Sequence, residues 1–514
     1  MHPENNNTDF NYARISKLLV AGIFLIQIGL VYIDRMPGLY EEWDGLEYFK
    51  IANYFKEGSF KENIGTYYVQ RILISLLLWL FSFLTKTDIS ETNTFIFYTI
   101  FNVFCTAISV WCYFKIAGKF HLSKTTKIFG FAGIFYSFFN LKMSSFYPVL
   151  LDQAAFTVGF LLLYSLLFQK SILSYAIVFI GSFTFPTVLP FGLLLIAFTE
   201  NNSNRGLIHF KLNIEEYTRL VYNPFRFTIP LISSFFYLFV IYRLFGSREN
   251  SVYKFSSERI ISLHEFWPSA LLSSILIFII TYQLTSFVMK LKIHYRISIY
   301  NIILSLMIFV GVKFIYLTIS NQNISQGFIW FPINIIKQSI QFPLAGLASH
   351  INYYGPLIIL CIIFHKKILE ASLQNGIGWF LFFLFNFGLL MLGSESRQFV
   401  FFIPFASMMI LKLLDHRISE VIQLPLLITH IIICLLFSKF WWIINVAGFA
   451  EKASNLHFKP DFDNAIIQRY FIFHGPWMNL PSYLTISSTA AVLFVFYLLI
   501  FRTSTKQKNQ LNPS

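Results

Sequence analysis

The chain has 514 residues, of which 56% are hydrophobic, 19% aromatic and only 12% charged, and its formal net charge is +14. About a quarter of the residues of a soluble domain are charged, so this composition excludes an ordinary soluble enzyme. Lys and Arg are scattered in short clusters between apolar runs rather than concentrated in one basic patch, and we therefore expect no nucleic-acid partner. Apolar runs of roughly 18 residues or more recur along the chain, which predicts an all-α, polytopic transmembrane protein.

The first predicted element is a membrane span at residues 18–33. Arg14 and Lys17 precede it and no small-residue cleavage site follows it, so we interpret it as an uncleaved span rather than a signal peptide. The positive-inside rule then places the chain from Asp34 onward on the outer face of the membrane. The predicted organisation is a cytoplasmic tail at 1–17, a transmembrane core at 18–445 that includes a first outer loop at 34–93, an outer loop at 446–481, and a last span with a cytoplasmic tail at 482–514.

Residues 72–84 form an apolar run that is shorter than the roughly 20 residues a spanning helix needs. We predict a helix that lies on the membrane surface or re-enters it, because this assignment returns the lysines at 115, 119, 124 and 127 to the cytoplasm. The later basic clusters then also fall on the cytoplasmic side, and the chain has about 12 to 14 spans. The predicted spans lie near 18–33, 94–114, 128–146, 153–169, 172–185, 187–198, 228–245, 268–289, 298–318, 352–364, 376–393, 399–414, 421–444 and 482–501, with a bend at Pro186 and Pro190.

The first outer loop concentrates carboxylates in a protein that has only 25 acidic residues. If residues 45–56 form a helix, Tyr48, Ile51, Ala52 and Phe55 share one face, and Asp44 precedes Tyr48 by one turn on the same stripe. A carboxylate that points toward the protein is costly unless it has a partner or a function. The alternative is that Asp44 is an N-cap and that Glu47 completes a capping box. The acidic residues of the loop are Glu41, Glu42, Asp44, Glu47, Glu57 and Glu62.

Two further sites carry charges at predicted helix ends on the outer face. Asp152 stands where the chain re-enters the membrane, and the alternative to a functional role is a carboxylate stabilised by the dipole of the helix that it begins. Glu395 and Arg397 mark a tight turn between two spans, and the alternative there is an exposed turn pair. These positions are therefore candidates, not assignments.

Arg71 begins the short apolar helix predicted at residues 72–84. A guanidinium at that position would stand at headgroup height, where a lipid phosphate lies. The alternative is that the side chain snorkels to ordinary lipid headgroups.

Together these motifs resemble the GT-C class of membrane glycosyltransferases, which use polyprenyl-phosphate-linked sugars. The resemblance lies in an architecture that covers nearly the whole chain, in a WDGxxYxxIA-like helix after the first span, and in the arginine that leads a short apolar helix. Many members have a proline four residues after this arginine, where this chain has Ser75, so the sugar and the acceptor stay open. The matching residues are Trp43, Asp44, Gly45, Tyr48, Ile51, Ala52 and Arg71, with Asp152 as a second acidic site and Glu395, Ser396, Arg397 and Pro404 as a late outer turn.

The resemblance implies an inverting transfer from a polyprenyl-phosphate-linked donor to a hydroxyl of a glycan, lipid or protein. Asp44 would take the proton of the acceptor hydroxyl, and Asp152 would be a second carboxylate of the catalytic site that positions the acceptor. Arg71 and Arg397 would stabilise the phosphate. It leaves metal dependence open, since oxygen ligands of this kind would suit Mg²⁺ or Mn²⁺. The bias toward Phe, Ile, Asn and Lys is typical of an AT-rich genome and favours a bacterial inner membrane. The remaining substrate-binding candidates are Glu47, Tyr48 and Glu395.

Two other functions remain as alternatives. A lipid-linked oligosaccharide flippase or another multi-pass transporter would place ionisable residues inside its spans and often shows internal repeats. Here Lys313 is the main charge within a predicted span and the acids gather on one face, which favours chemistry at the membrane surface. An O-antigen-polymerase-like enzyme usually has a large late outer loop with paired arginines, and residues 445–481 contain only Arg469.

Overall fold

The structure, a computed structural model, describes most of the chain, and it describes residues 44–199 without a gap. Two stretches that carry sequence predictions, the segment 40–43 and the late loop 446–479, lie outside the described residues. The described residues are 5–35, 39, 44–199, 207–213, 222–242, 253–254, 260–261, 263–289, 292–324, 342, 344–393, 395–443 and 480–511.

The first part of the chain is built from helices of very different length. Two helices of 29 residues, α1 and α6, flank a group of short helices that belongs to the predicted first outer loop. The helices are α1 (Asn5–Ile33), α2 (Asp44–Glu57), α3 (Phe60–Asn63), α4 (Thr66–Val69), α5 (Ile72–Thr85), α6 (Glu91–Lys119), α7 (Lys124–Phe135), a π-helix (Phe138–Met143), α8 (Ser144–Phe146), α9 (Asp152–Leu167), α10 (Ser171–Ser182) and α11 (Val188–Ala197).

The second part is again mainly helical. A 3₁₀ turn at Ser396–Phe399 separates two of its apolar helices. The helices are α12 (Tyr222–Ile241), α13 (Leu263–Val288), α14 (Ile299–Ile319), α15 (Ala345–Tyr354), α16 (Leu357–Ile363), α17 (His365–Gln374), α18 (Ile377–Leu392), α19 (Ile403–Val421), α20 (Leu424–Ser438) and α21 (Leu480–Leu511).

The described residues are mainly helical, which confirms the all-α prediction, and four short strands are the exceptions. Strand β1 (Leu207–Asn213) pairs antiparallel with β4 (Lys292–Ser298), and β2 (Tyr253–Lys254) pairs with β3 (Ile260–Ile261). The segments β1 and β4 belong to two basic loops that the sequence places on the same side of the membrane. Tertiary pairing satisfies their backbone groups, which a single-sequence pattern does not predict.

Six helices within the described residues are long and apolar enough to cross a membrane, so the protein is an integral membrane protein. They lie in α1, α6, α12, α13, α14 and α21. Six further apolar helices are shorter, namely α5, α9, α10, α11, α18 and α20. The prediction that residues 72–84 are too short to span a membrane agrees with the 14 residues of α5. The predicted 12 to 14 spans exceed the six helices of spanning length in the described residues.

Two predicted spans are broken. Residues 128–146 divide into α7, the π-helix and α8, because the Ser137 hydroxyl accepts the backbone N–H of Asn140 and begins a new segment. Residues 352–364 divide between α15 and α16, because Gly355 adopts a left-handed φ of 82° and Pro356 follows it. Pro186 lies between α10 and α11 as the predicted bend requires, and Pro190 lies within the first turn of α11.

Helix packing brings distant helix ends together. Helix α2 packs on α5, and α9 packs on α6 and α19. Helix α15 packs against both α18 and the 3₁₀ turn. The first residue of α2, the first residue of α9 and the 3₁₀ turn therefore meet.

A fully buried ion pair joins α1 to the π-helix. Lys142 Nζ donates to the carboxylate of Asp34 and, at 2.8 Å, to the carbonyl oxygen of Trp442. Both charged side chains are 0% exposed. The pair ties the end of α1 to the π-helix and to the segment after α20.

Candidate functional site

The buried face of α2 positions the first member of the site. Tyr48, Ile51 and Ala52 are buried, as the helical stripe predicts, and Gly45 is buried as well. Phe55, the last member of the stripe, is half-buried and stacks on Phe60 with ring centroids 4.5 Å apart. Asp44 begins this helix on the same side and points its carboxylate into the protein.

Asp44 accepts hydrogen bonds from two arginines through one oxygen. Its Oδ2 lies 3.3 Å from Nη1 of Arg71 and 3.1 Å from Nη1 of Arg397. Among the described residues, no donor reaches the other oxygen, Oδ1, and the side chain is 23% exposed. The capping-box alternative fails in this structure, because Asp44 is itself helical and Glu47 pairs instead with Lys50 at 2.7 Å.

Asp152 is the second carboxylate of the site and is almost closed to solvent. It is the first residue of α9 and its side chain is 5% exposed. Nε of Arg397 donates to both of its oxygens, at 3.1 and 2.9 Å, and the Tyr353 hydroxyl donates to Oδ2 at 2.9 Å. The buried Asp152 carboxylate thus holds the Arg397 side chain. Its position at the N-terminus of α9 also agrees with the alternative of stabilisation by the helix dipole.

Arg397 bridges the two aspartates from the 3₁₀ turn. Its Nε faces Asp152 and its Nη1 faces Asp44, so the predicted turn pair with Glu395 does not form. Glu395 instead accepts from Gln398 Nε2 at 2.6 Å. Four charged groups therefore alternate in sign, in the order Asp152, Arg397, Asp44 and Arg71.

Arg71 is the last of the four charged groups and lies next to Asp44. It occupies the N-cap position of α5, and its Nη1 donates to the Tyr48 hydroxyl at 3.2 Å. The guanidinium lies over the ring of Tyr67, 4.3 Å from the centroid, a cation–π contact. With its side chain 12% exposed, Arg71 is held by the protein and does not snorkel.

Helix α15 supports the turn that carries Arg397. The Nδ1 atom of His350 lies 2.9 Å from the Ser396 hydroxyl, and its Nε2 lies 2.9 Å from the carbonyl oxygen of Gly393. A carbonyl can only accept, so Nε2 carries the proton and Nδ1 accepts from Ser396. The Tyr354 hydroxyl donates to the Ser396 carbonyl. Burial lowers the pKa of His350 to about 4, so the ring is neutral at pH 7.

The charges of the site are set by a balance of burial and ion pairing. Burial alone would raise the pKa of Asp44, but the positive charges of Arg397 and Arg71 outweigh it and hold this pKa below its usual value. Burial works against the charge of Arg397, yet Asp152 and Asp44 keep its pKa well above the usual value. Burial and the charge of Asp44 raise the pKa of Tyr48 well above its usual value. The cluster thus pairs two aspartates with two arginines, whose formal charges cancel.

A divalent metal does not fit between these carboxylates. Mg²⁺ and Mn²⁺ need about six oxygen ligands, whereas the guanidinium of Arg397 occupies the space between Asp44 and Asp152. No group of three or more His, Cys, Asp or Glu side chains within the described residues is arranged to hold a metal ion. The arrangement is instead suited to binding an anion and to taking up a proton at Oδ1 of Asp44.

The structure brings together five of the seven site residues predicted from the sequence, and leaves two outside the cluster. Asp44, Tyr48, Arg71, Asp152 and Arg397 are in direct contact. The two outside are Glu47, on the half-exposed face of α2, and Glu395, in the 3₁₀ turn beside Gln398. Trp43, Glu41 and Glu42 lie outside the described residues.

Sequence reasoning missed the residues of α15. Tyr353 and His350 are buried; Tyr353 holds Asp152, and His350 holds the 3₁₀ turn through Ser396. The available signal was the run SHINYY, residues 349–354, whose polar side chains interrupt an apolar stretch. Buried polar side chains need hydrogen-bond partners, so such a run predicts a polar contact, although not its partner. Comparisons of the chain with protein-family models, curated proteins and solved structures found no match.

Proposed function

We propose that the protein is an inverting glycosyltransferase of GT-C type, which moves a sugar from a polyprenyl-phosphate-linked donor to an acceptor hydroxyl at the outer face of a bacterial inner membrane. One observation carries the proposal: Asp44 has one oxygen held by two guanidiniums and the other unoccupied by any described donor. A base and an anion-binding site thus lie side by side. The acceptor needs only a hydroxyl group that can reach Asp44, so it can be a glycan, a lipid or a protein.

The proposed reaction uses these positions. The acceptor hydroxyl oxygen attacks the anomeric carbon, the bond from that carbon to the phosphate oxygen breaks, and the bonding pair leaves with the polyprenyl phosphate. Oδ1 of Asp44 accepts the hydroxyl proton. The guanidiniums of Arg71 and Arg397 stabilise the charge that develops on the phosphate, which is already a stable anion and needs no acid.

Asp152 has a different role in this proposal from the catalytic one that the resemblance implies. Both of its oxygens accept from Arg397, one of them also accepts from Tyr353, and little of the side chain is exposed. It therefore acts as a positioning residue that orients Arg397. Glu47 and Glu395 have no part in it.

The placement of the charges favours transfer over transport. Asp44 and Asp152 are first residues of helices, Arg71 precedes a helix and Arg397 lies in a turn. Charges at helix ends suit the membrane surface, whereas a transport path uses ionisable groups within the spans. We therefore keep the flippase only as an outcome of the experiment.

The experiment is a transfer assay on the full chain in lipid nanodiscs, with a panel of radiolabelled polyprenyl-phosphate sugars and with lipid, glycan and peptide acceptors. We expect transfer by the wild type and a loss of about 10²- to 10⁴-fold in Asp44→Asn, which lacks the base. Asp88→Asn is the matched control, because Asp88 is 90% exposed and pairs only with Lys56 among the described residues. Absence of transfer with the whole panel, together with lipid-linked sugar movement across vesicles, would replace the transferase by the flippase.

A further inference from the structure

The two arginines of the site have more donors than the described residues can use. An arginine carries five N–H donors. The hydrogen bonds of Arg71 to described residues all come from one nitrogen, Nη1, to Asp44 and Tyr48. Its Nε is buried and has no acceptor among the described residues. Toward the described residues, Arg397 donates only from Nε and through a single bond from Nη1. The pair therefore has capacity for an anion with several oxygens.

The Asp44 carboxylate uses few of the N–H donors of these two arginines. Arginine and carboxylate groups often pair through two parallel bonds at 2.7–2.9 Å. Here a single oxygen is shared between two guanidiniums at 3.1 and 3.3 Å. A phosphate group offers each guanidinium its own oxygens, so it matches the two arginines better than this carboxylate does.

Both arginines are anchored by contacts that do not involve Asp44. Asp152 holds Nε of Arg397 and is itself held by Tyr353. Arg71 is held by the Tyr48 hydroxyl and by the ring of Tyr67. The guanidiniums would therefore keep their places if the Asp44 carboxylate moved away.

The backbone beside Asp44 is held in place by the packing of α2. A Cβ on the next residue, Gly45, would lie 2.3 Å from the Tyr147 hydroxyl oxygen and 2.4 Å from Val149, so the backbone there is seated tightly against neighbouring side chains. Displacement of the carboxylate therefore requires a change of side-chain rotamer and no shift of α2.

We propose that Asp44 occupies, in the resting protein, the site of the ligand's phosphate group: the phosphate binds to Arg71 and Arg397, displaces the Asp44 carboxylate, and thereby releases it to act as the base. The identification of the phosphate with that of a polyprenyl-phosphate donor rests on the proposed function. The donor therefore binds before Asp44 can take the proton of the acceptor hydroxyl. Without a bound donor, Asp44 stays paired with the two arginines and removes few protons.

The electrostatic consequence supports this exchange. Arg397 and Arg71 are the groups that lower the pKa of Asp44, and a phosphate that takes their hydrogen bonds removes much of that effect. Burial, which raises this pKa, then dominates. Asp44 becomes a stronger base in the complex than in the resting protein.

Direct binding tests the exchange without any transfer reaction. The full chain in nanodiscs is titrated with undecaprenyl phosphate and, in a separate arm, with inorganic phosphate, and Kd is measured for wild type, Asp44→Asn, Arg397→Gln and the control Asp88→Asn. Asp44→Asn removes the competing negative charge, so we expect its Kd for undecaprenyl phosphate to fall about tenfold. Arg397→Gln should raise Kd by a similar factor, and Asp88→Asn should leave it unchanged.

Each outcome has one consequence. A folded Asp44→Asn protein that binds undecaprenyl phosphate no more tightly than wild type would overturn the exchange, and Asp44→Ala, which has no side-chain acceptor, checks the same point. A gain with inorganic phosphate as well shows that the arginines recognise the phosphate group itself, whereas a gain confined to the lipid shows that the chain is needed too. Tighter binding without sugar transfer would refute only the proposed function, and transfer without tighter binding would refute only the exchange.

Discussion

Two groups of ion pairs in this protein differ in how far they are closed to solvent. Asp34 and Lys142 are completely buried and join one carboxylate to one ammonium. In the cluster of Asp44, Arg71, Asp152 and Arg397, the side chain of Arg397 is 20% exposed and Asp44 keeps one oxygen without a described donor. A closed pair has no room for a ligand and can only hold helices together, whereas a partly open cluster is able to exchange one of its own groups for a substrate. Burial, and not charge alone, separates the structural pair from the candidate site.

The largest effect is expected in the closed pair. Lys142→Met removes the Lys142 ammonium from the buried Asp34 carboxylate, which should lower the free energy of unfolding by about 3–5 kcal/mol. Thermal unfolding of the purified protein in detergent measures the loss. The double variant Asp34→Leu/Lys142→Met removes both charges and should recover most of the stability, since replacing a whole buried pair by apolar side chains is often neutral. A double variant as unstable as the single one would contradict the structural role.

The second effect lies in the open cluster and concerns activity. Arg397→Lys keeps the charge but loses the planar fork that contacts Asp152 and Asp44 together. We expect transfer to fall about 10²-fold, because one donor to a developing charge is worth roughly 10²–10³ in kcat, while the unfolding temperature changes little. Arg35→Lys, outside the cluster, serves as the control. Wild-type activity in Arg397→Lys would show that the charge alone is sufficient and that the bridging geometry is not needed.

A third effect concerns pH and the turn that holds Arg397. His350 is neutral in the fold, with a pKa of about 4, and its ordinary value is 6.5. The unfolded chain therefore binds more protons between these values, and stability is present above pH 6.5 and falls as the pH drops toward 4. The slope from this residue approaches about 1.4 kcal/mol per pH unit within that window. Unfolding temperatures of wild type and His350→Gln between pH 7.5 and 5 measure it, and an equal slope in both proteins would contradict the assignment.

The smallest effect is expected from metal removal. Arg397 occupies the space in which a divalent ion would bridge Asp44 and Asp152, so transfer should change less than about twofold when EDTA is added or when Mg²⁺ or Mn²⁺ is supplied. The transfer assay with and without chelator measures this. A large loss with EDTA that Mg²⁺ or Mn²⁺ restores would show that the resting cluster rearranges around a metal.

The sequence predicted part of the site because some of its members follow from local patterns. The stripe of Tyr48, Ile51, Ala52 and Phe55 indicates which side of α2 is buried, and hence where Asp44 points. The arginine that begins α5 is visible for the same reason, since a short apolar run has a recognisable start. The pairings themselves were not predictable, because Asp152 and Arg397 are 245 residues apart and Asp44 and Arg397 are 353 apart. The supporting contacts of His350 and Tyr353 depend on the same long-range packing.

The sequence by itself determined that this is a helical membrane protein with few charges, and that its acids stand near predicted helix ends. Hydropathy and charge act over one helix length, so they specify which segments are apolar and which residues border them. Only the tertiary structure decided which apolar runs are continuous helices, that two basic segments pair as strands, and that Arg397 lies between Asp44 and Asp152. These outcomes depend on the packing of segments far apart in the chain, and no local pattern encodes that packing.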